Sequence, residues 1–171
     1  MSRIKLLNLS FPDEWKIEKL DNLMDFSTGG TPRRNVKEFW VNGTIPWLKS
    51  GELNDGFIHS PQEKITELGL KKSSAKIFMK GTLLYALYGK GTVSKTGILA
   101  INSATNQAIA AMVPKNDSLT SRFLQYFLIF CRNQILNNFV NPSSDTGRTN
   151  IYMNDLKLFK IPLPGTIFKI I

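Results

Sequence analysis

Glycines, lysines and residues with hydroxyl side chains are concentrated between Tyr88 and Gln107. The first part of this segment reads YGKGTVSKTG. Glycines let backbone N–H groups approach a ligand closely, hydroxyls are short donors, and lysines supply positive potential. No carboxylate occurs between Glu67 and Asp117, so no acidic residue nearby in the sequence offsets the lysines. This pattern predicts a binding site for a polyanion.

Three further polar segments offer the same kinds of group. Paired arginines end the segment Gly29–Arg34, and their guanidinium groups could donate bidentate hydrogen bonds to phosphate or to guanine N7 and O6. A lysine and a hydroxyl follow an apolar run at Lys49–Gly51, and one arginine lies in Thr146–Asn150. Taken singly, each segment is also consistent with an ordinary solvated turn. Their repetition on one basic chain favours binding.

The hydrophobic pattern predicts a β-rich α+β domain in which these segments connect the elements. The apolar runs Leu83–Tyr88 and Ala108–Val113 have the length and composition of buried strands. Ile45–Leu48 reads as a shorter strand, whose proline predicts an edge position or a strand start. Apolar residues recur at helical spacing from Thr120 to about Phe139. They predict one long amphipathic helix packed on a mixed or antiparallel sheet, with long polar loops between the elements.

The net positive charge of the chain limits the kinds of molecule that it is expected to bind. The 171 residues include 22 lysines and arginines against 13 acidic residues, a formal net charge of +9. An excess of this size favours nucleic acid or an anionic membrane surface as partner, although a basic protein without such a partner remains an alternative. The hydrophobic content of 42% predicts a packed domain rather than a disordered chain.

The residue types present argue against most catalytic sites. With Cys131 and His59 as its single cysteine and histidine, the chain can form neither an internal disulfide, a zinc tetrad nor a histidine-based triad. Gly89–Thr92 lacks the spacing of a phosphate-binding P-loop. Asn141–Ser144 lacks the second proline and the aromatic of the amino-methyltransferase motif that stacks on a flipped base. We therefore predict no catalytic residue, no metal and no cofactor.

Apolar segments that could direct the chain into a membrane are short. The N-terminal apolar run is too short for a signal peptide, and the run around Phe123–Cys131 is shorter than the roughly 20 residues that span a bilayer. We therefore expect a cytoplasmic protein without a membrane partner.

Short motifs follow one another along the chain in a definite order. They are Trp15–Leu20, then STGGTPR at 27–33, IPWLKSGEL at 45–53, ITE at 65–67 with GL at 69–70 and SSA at 73–75, YGKGTVSK at 88–95, NQA at 106–108, TGRTNI at 146–151 and IPLP at 161–164. In order and spacing this set resembles a target-recognition domain from the specificity subunit of type I restriction–modification enzymes. The resemblance covers roughly residues 15–164, nearly the whole chain.

This resemblance implies sequence-specific binding of double-stranded DNA, without catalysis by the chain itself. In that family each such domain reads one half of a bipartite site, while methyltransferase subunits methylate the DNA and a restriction subunit cleaves it. The implied partners are DNA, those two kinds of subunit and a second specificity domain. Two alternatives remain open. One is an assembly fragment that binds a methyltransferase subunit without reading DNA, and the other is an enzyme such as a degenerate methyltransferase or nuclease.

The resemblance also predicts domain limits. The recognition domain would cover residues 1–164. Family members usually continue with a glutamine-containing spacer helix, whereas residues 165–171 read GTIFKII. We therefore expect a single-domain form with a short C-terminal tail that lacks the spacer helix.

The predicted DNA contacts come from the four polar segments described above. Lysines would chiefly neutralise phosphates, while arginines, asparagine and hydroxyls would read base edges. The predicted contact residues are Thr31, Arg33, Arg34, Lys49, Ser50, Tyr88, Lys90, Thr92, Ser94, Lys95, Thr146, Arg148 and Asn150.

Overall fold

Short strands and helices alternate along the chain in the computed structural model, which describes residues 15–89, 91–139, 141–142 and 149–164. The strands are β1 (Lys16–Lys19), β2 (Met24–Thr28), β3 (Ile45–Leu48), β4 (Phe57–Ile58), β5 (Glu63–Ile65), β6 (Ile77–Phe78), β7 (Leu83–Ala86), β8 (Thr96–Leu99), β9 (Ser103–Thr105), β10 (Ile109–Pro114), β11 (Asn141–Pro142), β12 (Thr149–Asn150) and β13 (Lys160–Leu163). The helices are α1 (Leu20–Leu23), α2 (Glu67–Lys71), α3 (Ser121–Phe130), α4 (Arg132–Phe139) and α5 (Met153–Lys157), with 3₁₀ turns at Lys37–Phe39 and Ser50–Glu52.

Two sheets form the centre of the domain. The larger has five strands in the order β2-β10-β7-β8-β4, antiparallel except for the parallel pair β8 and β4. The smaller has four strands in the order β5-β3-β9-β6, in which only β3 and β9 are parallel. Strands β1 and β13 pair separately, as do β11 and β12. The predicted α+β class with a mixed sheet is confirmed.

The larger sheet is covered on both faces, which explains why β7 is apolar without interruption. Successive side chains of a strand point to opposite faces. Leu83 and Tyr85 pack on α1, α3 and the segment around α5, whereas Leu84 and Ala86 pack on the smaller sheet. All four residues are buried. The outer face of the smaller sheet carries a third cluster, built around Trp47 and covered by Trp40 and α2.

The predicted long helix is present but divided. Cys131 separates α3 from α4, and its N–H donates to the carbonyl groups of Phe127 and Ile129 at the end of α3. The helical bonding then resumes, since the N–H of Ile135 donates to the carbonyl of Cys131. Thr120 caps the start of α3 by accepting a hydrogen bond from the N–H of Phe123. Cys131 is buried in the core.

The prediction that β3 could be an edge strand is wrong, while the alternative of a strand start holds. Pro46 is the second residue of β3 and pairs with Lys64 of β5. On the other side, the pairing with β9 begins only at Trp47. Because Pro46 lies before that parallel register starts, its missing N–H removes no ladder hydrogen bond there.

Candidate nucleic-acid interface

The strand directions bring the polar segments to one end of the two sheets. Strands β2 and β7 are both antiparallel to β10, so they run the same way and their C-terminal ends lie at the same edge. The N-terminal ends of β8 and β10 lie at that edge too, because each is antiparallel to β7. In the smaller sheet the parallel strands β3 and β9 also end together, where Leu48 pairs with Thr105.

Hydrogen bonds join the two sheets at this end. The N–H of Gly30, which follows β2, donates to the carbonyl of Thr105 over 2.9 Å. The hydroxyl of Thr31 donates to Oε1 of Gln107 over 2.6 Å, and the N–H of Asn106 donates to the carbonyl of Leu48 over 2.9 Å. We call this surface the loop edge, and it comprises residues 29–34, 49–51, 87–89, 91–95, 106–108 and 150–151.

Residues 87–89 and 91–95 lie in the turn between β7 and β8. Hydrogen bonds connect this turn to residues 150 and 151 near the end of the domain. The N–H of Leu87 donates to the carbonyl of Ala108, and the N–H of Ile151 donates to the carbonyl of Leu87, each over 2.8 Å. Tyr88 and Asn150 form an isolated antiparallel bridge. Two predicted contact residues that lie 62 positions apart in the sequence are therefore neighbours at the loop edge.

Glycine is required in this turn for steric reasons. Gly89 has a φ of +132°, a region that other residues rarely adopt, and a Cβ there would lie 2.4 Å from Oγ1 of Thr92. The same Cβ position is 3.8 Å from Oγ of Ser50, which places the turn against the segment that follows β3. The turn therefore contacts the next polar segment through its backbone.

The glycine pair at 29 and 30 has a packing role that the sequence interpretation missed. Both residues are buried. A Cβ on Gly29 would lie 2.0 Å from the carbonyl oxygen of Thr105, and a Cβ on Gly30 would lie 2.1 Å from Oγ of Ser74. The indole N–H of Trp47 donates to the carbonyl of Gly30 over 2.9 Å. These contacts fix the loop that presents Thr31, which is half-buried, and the exposed arginines after it.

The two arginines of this loop have different surroundings. Arg33 is exposed to solvent. The guanidinium of Arg34 lies over the ring of Trp40, 3.8 Å from its centroid, and 4.7 Å from that of Trp47. Nη1 of Arg34 also forms an ion pair with Glu63. Arg34 is therefore fixed by an aromatic stack and a carboxylate. The backbone carbonyl of Arg33 accepts hydrogen bonds from the indole of Trp40 and the N–H of Val36.

Glu63 joins a second predicted contact residue to the same cluster. Nζ of Lys49 lies 2.6 Å from Oε1 of Glu63, while the other carboxylate oxygen faces Arg34. The hydrogen bond from Arg34, together with that from Lys49, holds the pKa of Glu63 below its ordinary value although partial burial opposes this. Residue patterns alone did not reveal this role of Glu63, because its cationic partners are distant in the sequence.

The remaining predicted contact residues differ in exposure. Ser94 and Ser50 are buried, while Tyr88, Thr92, Lys95 and Asn150 are half-buried. Lys90, Thr146 and Arg148 lie outside the described residues. Among the described residues no hydrogen-bond partner is present for Oγ1 of Thr92, Oγ of Ser94, Oδ1 of Asn106 or Oδ1 of Asn150. The loop edge thus holds buried polar atoms with unused hydrogen-bonding capacity.

Sequence reasoning also missed an ion pair that contacts the turn between β7 and β8 through the carbonyl of Ser94. Arg132, the first residue of α4, donates from Nη1 to Oδ2 of Asp55 over 2.9 Å and from Nη2 to Oδ1 over 2.5 Å. Its Nε lies 3.3 Å from the carbonyl oxygen of Ser94, whose φ of +65° marks a left-handed turn residue. Asp55 also accepts hydrogen bonds from the N–H and the hydroxyl of Thr96, the first residue of β8.

The pKa of Asp55 shows the balance of forces at this ion pair. Partial burial alone would raise the pKa of its carboxyl group. The hydrogen bonds from Arg132 and Thr96 outweigh that effect and hold the pKa below the ordinary value of 3.8. Asp55 and Arg132 lie 77 positions apart, so no local sequence signal could have linked them.

Two further properties of the described residues bear on function. They contain no group of three or more histidine, cysteine, aspartate or glutamate side chains that could hold a metal ion. In the same part of the chain, no helix is long and apolar enough to cross a membrane.

The structure is a β-rich α+β domain in which basic and polar loops from both sheets lie at the same end. Comparison with known proteins identifies its family. The model of the type I restriction modification DNA specificity domain matches residues 12–169. Because this match covers nearly the whole sequence, the chain belongs to that family.

Curated relatives are specificity subunits of type I restriction enzymes. The chain is 31% identical over 118 residues to the MjaIX specificity subunit of Methanocaldococcus jannaschii, a match that covers 67% of this chain and 26% of the relative. It is 28% identical over 164 residues to the EcoR124I/EcoR124II specificity subunit of Escherichia coli, covering 92% of this chain and 39% of the relative. The chain therefore spans between about a quarter and two fifths of the length of these relatives.

Solved structures share the fold at low sequence identity. The HsdS subunit from Thermoanaerobacter tengcongensis matches with a TM-score of 0.64 at 20% identity, covering 93% of this chain and 35% of that one. The type I restriction-modification S subunit from M. genitalium matches with a TM-score of 0.63 at 17% identity, covering 92% and 37%. These likenesses confirm the fold of the domain.

Proposed function

We propose that this chain is a sequence-specific double-stranded DNA-binding domain of a type I restriction–modification specificity subunit. The observation that supports it most is the loop edge, at which polar and basic segments from both sheets meet in a chain of this family. A surface of this kind, basic and built from loops on a rigid two-sheet scaffold, suits the phosphate backbone and the base edges of a duplex.

The loop edge suggests a division of roles among its residues. Arg33 is exposed and suited to donate to a base edge in the major groove, while Lys95 is placed to neutralise a phosphate. Thr31, Thr92 and Asn150 supply neutral polar groups beside them. Buried Ser94 supports the turn rather than touching DNA directly. Lys90, Thr146 and Arg148 stay predicted contacts, since they lie outside the described residues.

The proposed function also implies which subunits act with this domain and which reactions they carry out on DNA. The domain would read one half of a bipartite site, and methyltransferase subunits and a restriction subunit would methylate and cleave the DNA. A second specificity domain would read the other half. We propose no catalytic role for the chain, and the cytoplasm is where it would meet DNA and these subunits. Residues 1–164 would form the recognition domain.

The salt dependence of DNA binding tests the proposal. If about five phosphates are neutralised, log K should fall against log salt concentration with a slope of about −4 to −5. Fluorescence anisotropy with a labelled duplex at several salt concentrations measures this slope. An affinity independent of salt would contradict the proposal. Absence of DNA binding together with saturable binding to a methyltransferase subunit would favour the assembly alternative instead.

A further inference from the structure

One carboxylate neutralises two of the cations that would face DNA. Glu63 begins β5, at the same end of the smaller sheet at which β3 finishes and Lys49 follows. One of its oxygens pairs with Arg34, and the other lies 2.6 Å from Nζ of Lys49. With both oxygens engaged, Glu63 is the shared counter-ion of two separate loops of the loop edge.

The cluster fixes Arg34 in a definite orientation. Its guanidinium lies over Trp40 and Trp47, whose rings meet edge to face with centroids 5.1 Å apart. The stack restricts the plane of the guanidinium, and Glu63 takes up Nη1. A bidentate contact to guanine or phosphate uses two neighbouring N–H donors of an arginine. With Nη1 held by Glu63, Arg34 can use the pair of Nη1 and Nη2 donors for such a contact only when Glu63 releases Nη1.

The ion pairs are exposed enough to be exchanged. The side chains of Arg34, Lys49 and Glu63 retain 49%, 39% and 28% of their accessible surface. Ion pairs with this degree of exposure contribute little net free energy, so a better-placed anion can replace the carboxylate. The same carboxylate repels any phosphate that approaches without displacing it. Exchange is therefore favourable only when DNA offers good geometry to both cations.

We propose that Glu63 is an internal competitor of DNA, which holds Arg34 and Lys49 away from DNA lacking the recognised sequence and is displaced by the recognised sequence. On a random duplex, contacts to isolated phosphates do not compensate for loss of the shared carboxylate, and the two cations stay paired with Glu63. On the recognised sequence, base edges and phosphates together replace it. This inference rests on the proposed function, because it assumes that the loop edge binds duplex DNA.

The substitution Glu63→Gln tests the inference, since it removes the charge and keeps the shape. We expect the affinity for a random duplex to rise by about 5- to 20-fold at low salt, because Arg34 and Lys49 become free for phosphates. The slope of log K against log salt should steepen by about 1 to 2, at roughly 0.9 per added phosphate contact. The affinity for the recognised sequence should rise at least as much, because the unsubstituted chain must break both ion pairs to bind it.

Two matched variants separate this effect from its alternatives. Glu67→Gln removes the same charge from an exposed position at the start of α2, beyond the far end of β5, and should leave both affinities unchanged. Glu63→Asp keeps the charge with a shorter side chain and should restore low affinity for random DNA. Thermal unfolding of each variant shows whether the domain remains folded, and Glu63→Asp tests the charge even if the glutamine variant is unstable.

Each other result contradicts the inference. A loss of affinity for the recognised sequence alone would show that Glu63 orients Arg34 toward a base. Equal gains for Glu63→Gln and Glu67→Gln would show an effect of net charge only. Unchanged affinities of Glu63→Gln for both duplexes, in a chain that does bind its sequence, would overturn this inference and leave the proposed function intact. Absence of DNA binding by the unsubstituted chain would instead contradict the proposed function itself.

Discussion

Adjacent residues at the loop edge have different surroundings even where their types are the same. Arg33 points into solvent, while Arg34 is stacked on two tryptophans and paired with a carboxylate. From sequence alone both were predicted to read bases. We expect them to differ, because an arginine held by an aromatic stack also stabilises the fold.

The two alanine substitutions should therefore behave differently. Arg33→Ala should lower the preference for the recognised base pair by roughly 1–3 kcal/mol without changing the melting temperature. Arg34→Ala should also lower the melting temperature, because removing its cation–π contacts costs about 0.5–2 kcal/mol. Binding to duplexes that differ at single base pairs, together with thermal unfolding, measures both effects.

A lysine at the opposite edge provides the control for these changes. Lys80 is exposed and precedes β7, so it lies at the far end of the larger sheet. Lys80→Ala should leave both base preference and melting temperature unchanged. If Arg33→Ala left the base preference intact, the direct role in reading DNA that we assign to Arg33 would be wrong.

The glycine pair illustrates what residue types do and do not reveal. Gly29 and Gly30 were interpreted as freeing the backbone for a ligand. In the structure both glycines are buried, and Thr105 and Ser74 lie too close to them for any Cβ to fit. The sequence could mark the position as requiring glycine, but the neighbours that impose this requirement come from distant segments. At Gly89, by contrast, the local turn itself requires a positive φ, and sequence reasoning located that turn correctly.

At the level of elements, the turn between β7 and β8 depends on an ion pair behind it. Arg132 binds the carbonyl of Ser94 and the carboxylate of Asp55, while Asp55 also accepts from Thr96. The ion pair thus connects the start of α4, the turn and the start of β8. Because Asp55 and Arg132 are partly buried, breaking the pair leaves a charge with poor solvation.

This arrangement predicts a pH dependence of stability. The pKa of Asp55 is lowered in the folded state, so the unfolded chain binds more protons near and below 3.8. The stabilisation by Asp55 is therefore fully present above that value and is lost as the pH falls through the lowered folded-state pKa. Asp55→Asn should reduce the free energy of unfolding by about 1–2 kcal/mol at pH 7. The difference from the unsubstituted chain should shrink toward pH 3.

Urea unfolding at pH 7 and at acidic pH measures this difference. Asp117→Asn removes one negative charge from an exposed position and should have a smaller effect at pH 7. A difference between Asp55→Asn and the unsubstituted chain that stays constant down to pH 3 would contradict a stabilising role for the ionised carboxylate.

Elements with strong local patterns were predictable, whereas their interruptions and partners were not. The strands β7 and β10 were found from their apolar runs, and a helix was correctly expected after Thr120. The break at Cys131 was missed because the apolar periodicity continues across it into α4. The central position of β3 was missed because it depends on pairing with β9, more than 50 residues later in the sequence.

For the molecule as a whole, the amino-acid composition predicts a polyanionic ligand, and the strand order and directions determine where the loops that would bind it lie. A net charge of +9 favoured a polyanion, but that charge is spread along the sequence. The directions of β2, β3, β7 and β9 bring four of the loops to one edge. Strand order and direction result from long-range packing, which the resemblance to a family could imply but residue patterns could not show.

The central claim is that the loop edge reads a specific DNA sequence. Selection of bound sites from a pool of random duplexes by the purified chain tests it most directly. We predict enrichment of one short, defined motif, corresponding to half of a bipartite site, and loss of part of that motif with Arg33→Ala. Binding without enrichment of any sequence, or enrichment that Arg33→Ala and Lys80→Ala leave equally unchanged, would contradict the account.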